Sequence, residues 1–249
     1  MTSRFSSPRT RIALGRVAVP VVALGLWMLA AAATTQIAPV GASIAALGRE
    51  FADGTVQADV VDTARATVTG YLLAAAFGIP LGVWAGGRPL RYHVAEPLFS
   101  STAAVPRIVL LPVFLSLLGI TINAKIAMAV TAAIVPILLT SMAGTRAVNA
   151  ILIKLARSLV MTRTSTVFKV VFPAALPSIM SGLRIGLSLA LLAVILSELV
   201  AATQGIGLRI QTAYSLQQLP LMYGLVLLVT LTGFAANISL WTLEKRWNH

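Results

Sequence analysis

Arg107 and Glu198 are charged side chains that lie within otherwise apolar stretches of the chain. A charge inside a bilayer is costly, so such a residue faces water, pairs with another charge or takes part in transport. Arg107 is able to bind an anion, and Glu198, near the end of an apolar stretch, is a candidate for a gating or ion-binding group. The structural alternative is that the two form an ion pair, or that Arg107 extends to the headgroups.

Residues that carry out other kinds of chemistry are missing from the sequence. There is no G-x-x-x-x-G-K-[ST] phosphate loop, no H-E-x-x-H motif and no G-x-S-x-G motif. The chain has no cysteine, and its histidines, His93 and His249, form no ligand cluster. We therefore predict no catalytic residue, no metal site, no bound cofactor and no ATP hydrolysis by this chain.

The amino-acid composition indicates whether the protein folds in water or in lipid. Of 249 residues, 58% are hydrophobic and 10% are charged, which is too apolar for an ordinary soluble domain. The net charge of +12 does not indicate nucleic-acid binding, because the basic residues lie between apolar stretches and form no groove-reading element. The composition predicts an integral protein of the lipid membrane.

Apolar stretches long enough to cross a bilayer recur along the chain. We predict an all-α polytopic protein with about six transmembrane helices, at residues 17–35, 66–86, 97–118, 126–145, 179–200 and 221–243. The predicted domains are a tail, 1–16, and one transmembrane domain, 17–249. For the first stretch, a cleaved signal peptide is the alternative. Pro106 and Pro112 predict an irregular third helix, whose backbone groups are able to line a cavity.

Lysine and arginine are distributed asymmetrically between the predicted connections, which sets the orientation. One side holds the N-terminal arginines, Arg88, Arg91, the segment 146–169, Arg184, Lys245 and Arg246. The other side holds Arg49, Arg65, Lys125 and Arg209. We predict a bacterial inner-membrane protein with both termini in the cytoplasm.

The longest basic connection, residues 146–173, contains five basic residues and no acidic one. Its apolar residues recur at helical spacing, and the basic residues fall between them. The apolar residues of this pattern are Ile151, Leu152, Leu155, Leu159 and Val160. One interpretation is a helix that lies along the lipid headgroups.

The same connection carries a resemblance to a known family. Residues 153–162 and 170–179, which include Val-Phe-Pro-Ala-Ala-Leu-Pro at 171–177, resemble the cytoplasmic signature loop of binding-protein-dependent ABC transporter permeases. Leu-Pro at 111–112, Gly-Leu-Arg-Ile at 182–185 and Gly-Ile-Gly at 205–207 are similar to flanking parts of that family. The resemblance covers residues 62–246 and is to the sulfonate, taurine and nitrate type.

The resemblance implies a permease subunit of an importer for a small solute, such as an alkanesulfonate, taurine or nitrate. A short cytoplasmic coupling helix between helices 4 and 5 would contact a separate ATP-binding subunit, through Lys154, Leu155, Ala156, Arg157, Ser158, Val160, Met161 and Thr162. ATP and Mg²⁺ would be bound by that subunit. The other implied partners are an extracytoplasmic solute-binding protein and a second permease subunit, in a homodimer or with a related chain.

Two residues depart from the family pattern, since Lys154 stands where an acidic residue is typical and Val160 where a glycine is typical. Glycine adopts positive φ without strain, and valine does not. The sequence leaves two explanations open. Either the turn at Val160 differs from the turn typical of the family, or the ATP-binding subunit is a divergent one. For the function, the alternative to a permease subunit is an ion-coupled transporter or channel that acts without an ATPase. A membrane-embedded enzyme is the third interpretation.

Overall fold

The computed structural model describes residues 24–247 together with 18 and 22, and this part of the chain is helical without a strand. The predicted tail 1–16 lies outside the described residues. The α-helices are α1 (Leu24–Ala33), α2 (Val40–Ala52), α3 (Gln57–Gly86), α4 (Pro89–Ala103), α5 (Leu111–Leu118), α6 (Ile122–Arg146), α7 (Ala150–Ser158), α8 (Arg163–Thr166), α9 (Phe172–Val200), α10 (Ile206–Ser215) and α11 (Leu219–Trp247). A 3₁₀ turn spans Arg107–Leu110, and a π-helical segment spans Val167–Val171.

Several predicted connections are themselves helical. The stretch 36–63 contains α2 and the first two turns of α3. Residues 163–200 form one continuous helix that includes the π-helical segment, because Phe172 N–H bonds to Val167 O directly before Pro173, which has no N–H. Lys125, predicted in a loop, lies in the first turn of α6.

The chain divides into two compact units. The described part of the first unit comprises residues 24–55 and Ile210–Leu227. Inside it, Trp27 Nε1 donates to Ala38 O at 3.0 Å, and the ring of Trp27 lies 5.8 Å from that of Tyr223. The second unit comprises Val56–Arg209 and the described residues from 228 to 247, and it contains the residues of the site discussed below.

In the second unit, α6 packs between α3 and α9, and small residues allow a close approach. One face of α3 carries Gly70, Ala74, Gly78, Gly82 and Gly86 against α6. A Cβ added at position 82 would lie 2.5 Å from Leu138 O. Small residues at this spacing are typical of helix pairs in membranes, where tight packing replaces the hydrophobic effect.

The contacts of α3 with α6 show that these two helices run in the same direction. Asp62, near the start of α3, bonds to Lys125 near the start of α6, whereas Gly86 at the end of α3 lies against Thr145 at the end of α6. The chain between them must therefore return from one end of the core to the other. The bent pair Pro89–Ala103 and Arg107–Leu118, with an angle of 84°, makes this crossing. The predicted span 97–118 is thus a broken one, with its break near Pro106.

Helices α9 and α11 complete the second unit. α9 runs opposite to α6, since Glu198 near its end bonds to Lys125. α11 runs opposite to α9, because Asn237 bonds to Ser188 and Glu244 to Arg184. We name the two ends of this core the Lys125 end and the Arg146 end, after the first and last turns of α6.

Four described helices are long and apolar enough to cross a membrane, and the bent pair is a fifth crossing. The polytopic all-α fold is confirmed. The count of six is not, because the described helix in the first predicted stretch covers only Leu24–Ala33.

Candidate functional site

At the Arg146 end, the predicted coupling helix is present as α7. The side chain of Asn149 accepts a hydrogen bond from Ile151 N at 2.9 Å and so caps its first turn. The helix ends in a Schellman motif, in which Val160 N–H bonds to Arg157 O and Met161 N–H to Ala156 O. The residue in the left-handed conformation of this motif is Val160, with φ 52°. The tight turn is therefore kept although valine replaces the glycine.

The face of α7 that points away from the protein is apolar with basic flanks. Its exposed apolar residues are Ile151, Leu152, Leu155, Leu159 and Val160, the last 89% exposed. Lys154, Arg157, Ser158 and Thr162 are also exposed, and Met161 is half-buried. Ala156 is buried at 2% exposure, so it packs inside the chain and presents no surface to a partner. Thr162 caps the next helix by accepting from Ser165 N.

Arg107 lies at the break between α4 and α5, near the middle of the core. Its Nε donates to Thr131 O of α6 at 2.9 Å, and its side chain is half-buried. A guanidinium group carries further N–H donors beyond Nε. Arg107 does not pair with Glu198, which has other partners, so the predicted ion pair between these two residues is wrong.

Glu198 belongs to a buried polar cluster at the Lys125 end. Its carboxylate accepts hydrogen bonds from Lys125 Nζ at 3.0 Å, from Thr63 Oγ1 at 2.9 Å and from Gly207 N at 2.9 Å. Lys125 Nζ also lies 2.5 Å from Asp62 Oδ2 and donates to Gln204 O at 2.6 Å. Glu198 is 0% exposed and Lys125 is 5% exposed. One ammonium group thus joins α3, α6, α9 and the segment after α9.

A second ion pair flanks this cluster. Asp59 accepts from Arg209 Nε at 2.6 Å and from Gly205 N at 2.8 Å. Ile206 N donates to Thr63 Oγ1 at 3.0 Å, so the first amides of α10 bond to side chains of α3. Gly205 has φ 120°, and a Cβ there would collide with the carboxylate of Glu198. This position requires glycine on both grounds.

Sequence reasoning found Glu198 and missed Lys125, its cation, and Asp62, the second partner of Lys125, because it assigned both to connections. A signal was present. Asp59, Asp62 and Thr63 are spaced three and four residues apart, which places them on one face of a helix. A lysine in the first turn of an apolar helix lies at the positive end of the helix dipole. A buried ammonium group in that position requires a nearby anion.

Comparison with known proteins identifies the chain as a permease. Residues 78–249 match the family model described as "Binding-protein-dependent transport system inner membrane component". The chain belongs to this family. The resemblance of the signature segment and the permease function inferred from it are thereby confirmed.

Characterised relatives of this permease carry names of the same kind. It is 28% identical over 196 residues to the taurine transport system permease protein TauC of Escherichia coli (strain K12), covering 79% of this chain and 71% of the relative. It is 31% identical over 176 residues to the nitrate import permease protein NrtB of Leptolyngbya laminosa, covering 68% of this chain and 63% of the relative.

Among solved structures, the permease resembles a chain of the inward-facing MetNI methionine ABC transporter. The TM-score is 0.66 at 20% identity, over 76% of this chain and 94% of that chain. At this identity the likeness concerns the fold, and it agrees with the helical core described above.

Proposed function

We propose that this permease imports a small solute with an anionic group, such as an alkanesulfonate, taurine or nitrate, with energy from a separate ATP-binding subunit that docks on α7. The observation that carries the docking proposal is the exposed apolar face of α7, with Leu155, Leu159 and Val160 uncovered between basic residues. An apolar patch of this kind with a polar rim is typical of a protein interface. ATP and Mg²⁺ are bound by the partner, and this chain acts without a catalytic site.

The Arg146 end faces the cytoplasm in this proposal, and so do both termini, with the predicted stretch 17–35 as the sixth crossing. The argument is the positive-inside rule applied to residues that the second unit places at one end of its core. Arg88 and Arg91 lie beside the end of α3, and Arg146, Lys154 and Arg157 lie at or after the end of α6. The Lys125 end faces outward, where a solute-binding protein delivers the solute. A second permease subunit, in a homodimer, completes the pathway.

Arg107 is the residue that we assign to the pathway. It lies at a break in a crossing helix, where irregular backbone occurs only if it is covered by protein or lines a water-filled cavity. Its Nε is held by a backbone carbonyl, which fixes the guanidinium group at mid-depth in the core. A cation in this position favours an anionic solute, in agreement with the names of the taurine and nitrate relatives.

Docking is tested by co-purification of the tagged permease with its ATP-binding subunit in mild detergent. We expect the wild type to retain the subunit, and Leu155→Asp and Leu159→Asp to lose it while still inserting in the membrane. The matched control is Leu90→Asp, which makes the same change at a residue 77% exposed at the same end but outside α7. Retention of the subunit by both α7 variants would contradict the docking face.

The solute is tested by ATP-driven uptake of taurine, an alkanesulfonate and nitrate into proteoliposomes that contain the whole importer. We expect saturable uptake of at least one anion by the wild type, loss of uptake in Arg107→Gln and partial recovery in Arg107→Lys. Uptake in Arg107→Gln at the wild-type rate removes Arg107 from the pathway. Uptake without ATP would sink the importer mechanism itself.

A further inference from the structure

The two ends of the core are joined by one uninterrupted helical segment, Arg163–Val200. Its 38 residues span about 55 Å at about 1.5 Å per residue. Near its start, the π-helical segment Val167–Val171 packs against α7, the helix whose exposed face is proposed to bind the ATPase. Near its end stands Glu198. A displacement of α7 therefore has a continuous mechanical route to the Lys125 end.

The segment 201–207 follows α9 at the Lys125 end. Several of its backbone groups form hydrogen bonds with charged side chains. Gln204 O accepts from Lys125, Gly205 N donates to Asp59, and Gly207 N donates to Glu198. Within five residues, three backbone groups are thus bonded to charged side chains. Hydrogen bonds to charged partners are stronger than neutral ones, and here they are shielded from water.

The charges of the cluster depend on one another. Lys125 is the shared partner of Asp62 and Glu198, and it is the ammonium group that allows Glu198 to remain buried. Removing one member of such a buried set leaves its partner as an uncompensated charge. Removing two oppositely charged members together leaves less uncompensated charge. The segment 201–207 is thus bonded to α9 in two ways, directly from Gly207 N to Glu198 and from Gln204 O through Lys125 to Glu198.

We propose that Asp62, Lys125 and Glu198 form a rigid connector that makes the segment 201–207 move together with α9 during the transport cycle. Lys125 and Glu198 are positioning residues, because they act through this segment and bind no solute. The inference rests on the proposed function for its role in transport. The attachment of the segment itself is independent of the solute and of the ATPase.

A distance measurement within the permease tests the attachment. Because the chain has no cysteine, spin labels can be placed at Leu192→Cys, on an exposed part of α9, and at Thr203→Cys, in the exposed part of the segment. We expect a narrow distance distribution in the otherwise wild-type protein and a broad one in Lys125→Met/Glu198→Gln. The paired variant is used because Lys125→Met alone leaves Glu198 buried without its cation. Glu244→Gln, which removes an ion pair of α9 outside the cluster, should keep the narrow distribution.

The second readout is the amount of solute imported per ATP hydrolysed by the whole importer, measured with whichever of taurine, the alkanesulfonate and nitrate the wild type takes up. We expect the paired variant to bind the ATPase and hydrolyse ATP while importing about tenfold less solute per ATP, within the usual size of a coupling between sites. A merely structural role would lower both activities in proportion. A narrow distance distribution in the paired variant, or wild-type import per ATP, overturns the connector. Absence of ATP-driven uptake in the wild type, with the labels behaving as expected, instead contradicts the proposed function.

Discussion

Val160 shows how a single residue departs from its family and keeps the local structure. The Schellman motif at the end of α7 requires a left-handed residue, and Val160 adopts φ 52° with its side chain 89% exposed. This conformation is unfavourable for a β-branched residue, because Cβ approaches the following carbonyl group. The turn is therefore formed against a local cost, which the hydrogen bonds from Val160 N–H and Met161 N–H offset.

Replacement of Val160 by glycine should stabilise this turn. Glycine removes a strain of about 1–2 kcal/mol at this position. This gain exceeds the cost of the added chain entropy of glycine in the unfolded state, so the net gain in stability is about 0.5–1 kcal/mol. The measurement is hydrogen exchange of the amides of residues 160 and 161, which should slow. Leu159→Gly is the control, since Leu159 has φ −81° and gains nothing from glycine. Faster exchange in Val160→Gly would contradict the strain.

The packing of α3 on α6 decides the geometry of the whole core. Glycines at positions 70, 78, 82 and 86 bring the two helices close enough for the side chains of Asp62 and Lys125 to meet at one end. Since both helices run in the same direction, the bent pair α4–α5 is forced to cross the core between them. The location of Arg107 at mid-depth follows from this arrangement.

We expect Gly82→Ala to destabilise the permease by about 1–3 kcal/mol, the usual cost of overpacking. The new Cβ would lie 2.5 Å from Leu138 O and 2.7 Å from Ser141 Cβ, and neither atom belongs to a flexible side-chain end. This clash outweighs the gain in helix propensity of about 1 kcal/mol. Unfolding by SDS in mixed micelles measures the effect.

The control for Gly82→Ala is Leu72→Ala on the outer face of α3, where the side chain is 57% exposed. It should change the SDS midpoint little, because a lipid-facing side chain loses few protein contacts. Equal effects of the two substitutions would argue against close packing of α3 on α6.

For the molecule as a whole, the distribution of charge and the direction of the helices agree. The basic residues after α3 and around α7 lie at the Arg146 end of the second unit, while the acidic residues Asp59 and Asp62 lie at the Lys125 end. By the positive-inside rule, this asymmetry supports the proposed orientation, in which the basic end lies inside. In that orientation α7 lies on the side where we propose that the ATP-binding subunit docks.

Single cysteines test this orientation. A cysteine at Ser158, exposed at the end of α7, should react with an impermeant maleimide only from the cytoplasmic side. A cysteine at Thr203, exposed in the segment after α9, should react only from the opposite side. Right-side-out and inverted vesicles give the two accessibilities. Labelling of both positions from one side would contradict a membrane crossing by α9.

The sequence by itself determined the class of fold and the family, and it predicted a short helix in the region of α7. These properties depend on composition, on helical spacing of apolar residues and on a local signature, all of which are read within a short window. The turn at Gly86–Pro89, the irregularity near Pro106 and a helix among residues 151–160 were predicted for the same reason, and the structure has them, with the helix ending at Ser158.

Only the tertiary structure decided which charges meet. Glu198 and Lys125 are 73 residues apart, and Thr63 and Glu198 are 135 apart, so no local pattern connects them. Arg107 and Glu198 were the conspicuous charges in the sequence, yet the direction of α6 relative to α9 brings Lys125 to Glu198 and leaves Arg107 near Thr131. Burial of an ion depends on its neighbours in space, and helix packing sets those neighbours.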